Sequence, residues 1–446
     1  MDTPIYNYVQ KYAAGNGARL HMPGHKGAEI LGCESLDITE IAGADSLYEA
    51  DGIIAESEKN AASLFGTAKT LFSTEGSTQC VKAMLYMAVT AAESGEKPII
   101  VAARNVHKSF VQAAALLDFE VVWLWDENKE FSLCRCEITP EQLENTLERL
   151  GRKPAAVYVT SPDYLGGTAD IKALAEVAHK FSAPLLVDNA HGAYLAFLDE
   201  PCHPMRLGAD ICCDSAHKTL PVLTGGAYLH ISEKAAPYFA VNARGAMELF
   251  GSTSPSYLIL QSLDLANKYI AESYPQKLNR CVDKVSRLKE QLKKAGWSVY
   301  DSDPLKLTVE AAKSGYDGRE LAEFLRGDGI ECEYADPDFT VFMFTPENKE
   351  SDFCYLAEFF SKTSVRQAVK KDILYMKPPE QVMSIRKAVF SKSEKIKSEN
   401  AAGRVLGRTA VSCPPAVPVA VSGEKINEDA VKIFKRYGIK YADVLL

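Results

Sequence analysis

Short apolar runs recur along the chain, separated by amphipathic stretches, and this alternation constrains the fold more than any other feature. Residues 70–74, 98–103, 120–125, 156–160, 183–188 and 209–214 read as buried strands. Between them, Gly76-Ser-Thr opens a helix through Val81 to Met87, and further helices are expected near 108–117, 141–150 and 171–181. Strands that are apolar on both faces, joined by amphipathic helices, form a largely parallel sheet covered on both sides. An α/β fold follows, with one large domain running from about Asp45 to Ala266. A long helix over about 258–295, with Lys, Arg and Glu on one face, is expected to bridge to a smaller α+β domain. That domain offers a strand at 305–310, a helix at 318–329, strands near 331–334 and 340–344 and a final helix at 428–437. Cys413-Pro-Pro-Ala-Val-Pro cannot be a central strand. The expected division is an N-terminal arm (1–44), a major domain with the bridging helix (45–295) and a C-terminal domain (296–446).

Composition removes several classes of function. With 47% hydrophobic and 24% charged residues the chain is globular rather than disordered. Fifty Lys+Arg against 59 Asp+Glu leave a net charge of −9, so no basic field is available for nucleic acid or an anionic membrane. A mild acidic excess favours a cationic substrate. The first 20 residues lack the charged-then-apolar pattern of a signal peptide, and no run approaches the roughly 20 apolar residues that span a bilayer. The 11 Cys, with pairs such as Cys134/Cys136 and Cys212/Cys213, lack zinc-site or disulfide-framework spacing and read as reduced thiols, with no metal site. A cytoplasmic protein is expected.

Four segments carry chemistry, each at the carboxyl end of an expected strand, where open α/β sheets bind ligands. In Asp214-Ser-Ala-His-Lys218, a lysine just past a buried strand suits a Schiff-base amine made nucleophilic by burial; taken alone it also reads as a solvated loop lysine. Asp188, in Leu185-Leu-Val-Asp188-Asn-Ala-His191-Gly, ends an apolar strand where a carboxylate needs a partner such as a pyridinium nitrogen, or else caps the next segment. Ser73-Thr-Glu-Gly76-Ser77-Thr78 is a strand-to-helix turn able to hold a phosphate on a helix N-terminus. His107, in Arg104-Asn-Val-His107-Lys-Ser, is able to stack on a planar ring; taken alone it also reads as an incidental loop histidine. A phosphate cradle, a stacking ring, a buried Asp and a Lys, in that order, are what a pyridoxal-phosphate site requires.

With these residues in view, the sequence resembles the ornithine/lysine/arginine decarboxylases, in the shorter bacterial form without an additional N-terminal receiver-like wing. The likeness runs over nearly the whole chain: His21-Met-Pro-Gly-His25-Lys, Asp45-Ser-Leu47, Arg104-Asn105-Val-His107-Lys-Ser109, Asp188-Asn-Ala-His191-Gly, Ser215-Ala-His217-Lys218, Thr253-Ser-Pro-Ser-Tyr257 and the tail Cys413-Pro-Pro-Ala-Val-Pro to Gly423-Glu424. The resemblance implies a fold type I pyridoxal-phosphate enzyme, with a mainly parallel seven-stranded sheet and a smaller α+β C-terminal domain. It implies decarboxylation of a basic L-amino acid (arginine, lysine or ornithine) to a di- or polyamine precursor, through a Schiff base on Lys218. Asp188 pairs with the ring nitrogen, His107 stacks on the ring, and His191 hydrogen-bonds its phenolic oxygen. Gly76, Ser77, Thr78, Ser215 and His217 bind the phosphate. Ser252 or Thr253 reaches the phosphate of a neighbouring subunit, so at least a homodimer with shared sites is expected. His25 lies near the interface and the site. Glu424 is the choice for the substrate's distal cation, against a solvated surface Glu.

The sequence departs from the family pattern at Glu75, where a small polar residue such as Asn is usual, and at Cys413 and Ala416, where Tyr and Gly are usual. Aminotransferases, aldolases and lyases share the fold, and a non-catalytic pyridoxal-phosphate-binding paralogue is the rival from another class.

Overall fold

The computed structural model describes residues 1–446 apart from 93–94, 127–129, 371–372 and 412–414. Cys413 therefore lies outside the described residues. The strands of the main sheet are β1 (Lys69–Ser73), β2 (Ile99–Ala103), β3 (Glu120–Leu124), β4 (Ala156–Thr160), β5 (Leu185–Asp188), β6 (Ile211–Asp214) and β7 (Ala227–Ile231). They form one seven-stranded sheet in the order β1-β7-β6-β5-β4-β2-β3. β2 pairs parallel with β3 and β5 parallel with β6, while β7 is antiparallel to both β6 and β1. The mostly parallel α/β sheet read from the alternating pattern is present.

By internal contacts the chain gathers into two compact units, each assembled from separated segments: Met1–Ser94, Ala155–Tyr158 and Ile171–Lys277 in the first, and Gly95–Pro154, Val159–Asp170 and Leu278–Leu446 in the second. In the first unit β5, β6 and β7 are buried along their whole length, which is why their residues are apolar on both faces. β7 went unread in the sequence because His230 interrupts its apolar run. That imidazole is fully buried and hydrogen-bonded.

The single bridging helix expected over 258–295 is two helices, Tyr257–Glu272 and Tyr274–Lys294. Pro275 explains the break. Its ring would clash with the carbonyl four residues back and it offers no N–H, yet it fits the first turn of a new helix. Ser273, at φ −151°, makes the joint. The restart puts the buried Tyr274 where its hydroxyl donates to Thr219 O at 3.1 Å.

The second unit carries, besides β2 and β3, the strands β8 (Val299–Tyr300), β9 (Lys306–Val309), β10 (Tyr334–Ala335), β11 (Thr340–Met343), β12 (Ser393–Lys397), β13 (Leu406–Arg408), β14 (Ala410–Val411), β15 (Pro418–Ala420) and β16 (Tyr441–Leu445). They form antiparallel sheets β10-β11-β9-β8, β12-β16-β13 and β14-β15. Pro418 opens a strand of the two-stranded sheet, a position where a missing N–H is tolerated. Val419, Ile426, Ile433, Phe434 and Val444 belong to the core of this region. The final helix, Glu428–Arg436, is capped by Asn427, whose side chain accepts from Ala430 N at 2.8 Å. Among the described residues no helix is long and apolar enough to cross a membrane.

Candidate active site

Within the first unit the site grows from the ends of β5 and β6, which run side by side with Asp188 opposite Cys213. The chain leaves β6 at Asp214 and makes one short helix, Ala216–Thr219, that carries Lys218. The half-buried Lys218 places Nζ 2.9 Å from His191 Nε2. His191 is 5% exposed and reaches this position from the turn after β5. That turn is tight: a Cβ on Gly192 would lie 2.0 Å from Asn189 Oδ1, so a larger residue would have to displace the side chain that donates to Asp214.

Asp188 is 3% exposed, and its carboxylate accepts from Tyr158 OH at 3.2 Å and from Ala190 N at 3.2 Å. A carboxylate this buried needs donors, and a protonated ring nitrogen is a chemically matched further partner. Tyr158 escaped the sequence reading because a tyrosine on an apolar strand reads as core.

The turn after β1 is held by Ser73 Oγ, which accepts from Glu75 N at 3.1 Å and donates to Gln79 Oε1 at 2.6 Å. Gly76 sits at φ 70°, ψ 177°, a conformation open essentially to glycine alone, and precedes the helix Ser77–Thr90. A Cβ at Gly76 would meet nothing within 4 Å, so this helix N-terminus opens on free space. Ser215 Oγ donates to Ser77 Oγ at 2.8 Å, which joins the β6 turn to the same helix start. An amine, a buried carboxylate and a helix N-terminus with two hydroxyls fit an anionic aldehyde cofactor such as pyridoxal phosphate. Glu75 points its departure from the family pattern to the exposed side of the turn. His217 Nδ1 lies 3.0 Å from Gly226 O, and burial holds its pKa below the usual imidazole value, so the neutral ring donates through Nδ1 and keeps Nε2 as an acceptor.

Behind Lys218 lies a polar network that the sequence reading missed. Asp214 is fully buried and accepts from His203 Nε2 at 2.9 Å, His230 Nε2 at 3.1 Å and Asn189 Nδ2 at 2.7 Å. Burial alone would raise its pKa, but the adjacent imidazoles of His203 and His230 hold it below the usual carboxylate range. His203, Asp214 and His230 also have the spacing of a metal cluster. However, Met205 N donates to His203 Nδ1 at 3.3 Å, which makes Nε2 the protonated nitrogen and assigns the group to hydrogen bonding. No signal in Cys202-His203-Pro204 or in β7 announces the grouping, because its members meet only when β6 and β7 pair.

The remaining expected residues fall elsewhere. Thr253 is exposed, beside an exposed Ser252 whose Oγ accepts from Ser254 N at 3.2 Å. His25 is half-buried, with Nε2 3.2 Å from Asp37 Oδ2 and Nδ1 accepting from Gly27 N at 3.0 Å. In the second unit, His107 is the N-cap of the helix Lys108–Leu117, its Nδ1 accepting from Ser109 N at 3.2 Å. Glu424 is 1% exposed, which removes the surface reading, and its Oε2 accepts from Arg104 Nη2 at 2.8 Å and Val421 N at 2.7 Å.

The family model for the Orn/Lys/Arg decarboxylase major domain matches residues 3–308, and that for the family's C-terminal domain matches residues 364–438. The chain is 30% identical to an arginine decarboxylase of Bacillus subtilis (strain 168), over 97% of this chain and 93% of that protein. It is 27% identical to an arginine decarboxylase of Bacillus anthracis, over 98% of this chain and 93% of the relative. A crystal structure of the Francisella novicida lysine decarboxylase superposes with a TM-score of 0.82 at 16% identity, covering 100% of this chain and 81% of that one, and bears out the fold. With the family's major-domain model spanning most of its length, the chain belongs to the Orn/Lys/Arg decarboxylases.

Proposed function

We propose that this pyridoxal-phosphate-dependent decarboxylase acts on a basic L-amino acid, with L-arginine as the first substrate to test because the Bacillus relatives bear that name. The observation that carries the reading is Lys218 Nζ at 2.9 Å from His191 Nε2, beside the strand that ends in the buried Asp188. The cofactor, when bound, supplies an electron sink for the pair left on Cα as carbon dioxide departs. Lys218 is the amine that holds it, and Asp188 keeps a proton on its ring nitrogen. The helix start at Gly76, Ser77 and Thr78, with Ser215, binds the phosphate. His217 closes the turn on the same side. His107 packs on the ring, and His191 serves the phenolic oxygen. Because His191 shares a hydrogen bond with Lys218, the pair can pass a proton to or from Nζ, and either group can return one to Cα.

The protein acts as at least a homodimer in this proposal. Leu20, Met22, Ile30 and Leu31 are 91%, 66%, 79% and 86% exposed, an apolar display around the His25 loop that a second copy would cover. The exposed Thr253 is then available to the neighbour's phosphate.

The test is an assay of cofactor-loaded protein with L-arginine, L-lysine and L-ornithine, following carbon dioxide and amine together, with Lys218→Ala as control. One amine rising in step with carbon dioxide, and absent in the variant, supports the reading. Cofactor uptake with neither product refutes decarboxylation and leaves a binding paralogue.

A further inference from the structure

The turn between β2 and the helix Lys108–Leu117 carries His107, and the C-terminal tail grips that turn on both sides of the histidine. On one side stands Arg104, only 6% exposed, its guanidinium carbon 4.8 Å from the Trp123 ring centroid and 4.7 Å from that of Trp125. Its Nη2 donates to Glu424 Oε2 at 2.8 Å and to Val419 O at 3.3 Å. On the other side, Lys108 N donates to Ala416 O at 2.9 Å. The first N–H groups of a helix have no partner within it. Here the tail satisfies one of them, and the His107 ring satisfies that of Ser109. Ala416 takes φ +60° to present its carbonyl, a left-handed conformation that glycine adopts without strain and alanine does not. This accounts for the glycine usual at that position.

A buried ion pair differs from a surface one in what alternatives it permits. An exposed Arg can swap its carboxylate for water, whereas Arg104 cannot leave Glu424 without stranding a buried charge. The pair therefore fixes the start of the turn to the tail, and Lys108 fixes its end.

We infer that this tail is a clamp that sets the position of His107, with Arg104 and Glu424 as positioning residues that act through the histidine. The inference rests on the reading of His107 as the residue packed on the cofactor ring. Two variants loosen the clamp separately. Glu424→Gln keeps the shape and the Val421 contact but removes the charge from the Arg104 bond. Lys108→Pro, read against Lys108→Ala to account for the lost side chain, deletes the N–H given to Ala416 at the first helical position, where proline is well accepted. His107, at φ −67° and ψ 152°, already has the backbone that precedes a proline.

The experiment measures the rate at which holoenzyme releases pyridoxal phosphate to an excess of a trapping apoenzyme, with urea unfolding alongside. Each variant is expected to release the cofactor about tenfold faster, the scale of one hydrogen bond lost or stripped of its charge. In a His107→Ala background neither should accelerate release further. An unchanged rate, or the same acceleration with and without His107, overturns the clamp. If the wild-type protein takes up no cofactor, the functional reading fails, and amide hydrogen exchange then judges the clamp by itself. Peptides spanning 104–110 must exchange faster in both variants, and unchanged exchange there overturns it.

Discussion

The turn that carries Lys218 and the turn that carries His107 are both strand-to-helix turns at the carboxyl ends of sheet strands, yet they are secured in different ways. The Lys218 turn is tied to the core of its own unit: Asp214 to His203, His230 and Asn189, Ser215 to Ser77, and Thr219 to Tyr274. The His107 turn is tied to a tail that follows it by about 320 residues, through one arginine and one backbone N–H. Many core ties leave the lysine little freedom, because releasing one of them strands a buried polar group. Beyond the packing of Arg104 on Trp123 and Trp125, the ion pair and the helix-start N–H both go to the tail, so the place of the histidine depends on that one segment.

The largest effect expected is at Lys218 itself. Lys218→Ala should abolish amine formation, read as carbon dioxide release from the preferred amino acid, while the urea midpoint stays close to wild type because the side chain is only half-buried. A collapse of stability would show that the lysine is part of the core network. Next, Asp214→Ala leaves the donors of His203, His230 and Asn189 without an acceptor and should cost about 3–5 kcal/mol in urea unfolding. Glu424→Leu should cost less, about 2–3 kcal/mol, because Arg104 keeps Val419 O and two indole faces. If Glu424→Leu proved the costlier, the contrast between the two turns would be reversed.

Acidity separates the same two carboxylates. Asp214 has its folded pKa below the ordinary range, so its contribution is present above the unfolded value near pH ~4 and fades as pH falls further toward the folded pKa. Burial raises the pKa of Glu424, against the pull of Arg104, so its contribution is full below about pH 4 and diminishes as pH rises toward the folded pKa. Unfolding free energies of wild type minus Asp214→Asn should therefore shrink in acid. Those of wild type minus Glu424→Gln should shrink on moving from pH ~4 toward neutrality. Matching slopes would show that the two sites are held alike. The smallest effect is at the tail bend: Ala416→Gly should stabilise the protein by about 0.5–1 kcal/mol, the relief of left-handed strain less the entropy of glycine.

Much of this was legible in the sequence. Most main-sheet strands and their helices show as apolar runs of strand length between amphipathic stretches, because a strand covered on both faces has no polar alternation to hide it. The positions of Lys218, Asp188 and Gly76 at strand ends follow from the same pattern. The break at Ser273 was also written there, in Pro275, and was passed over for the strong amphipathic period on either side. β7 was hidden because His230 makes an apolar strand look polar.

The sequence by itself thus determined the layered α/β architecture and the segments that hold the chemistry, since both depend on local periodicity and on which residue follows a strand. Only the tertiary structure decided which polar groups stand together. Nothing near Asp214 in the chain announces that His203 and His230 donate to it, and nothing near Arg104 announces Glu424. Such partners are chosen by strand pairing and by the path of the tail, and a buried charge has to find its donors or its counter-charge wherever the fold brings them within hydrogen-bonding distance.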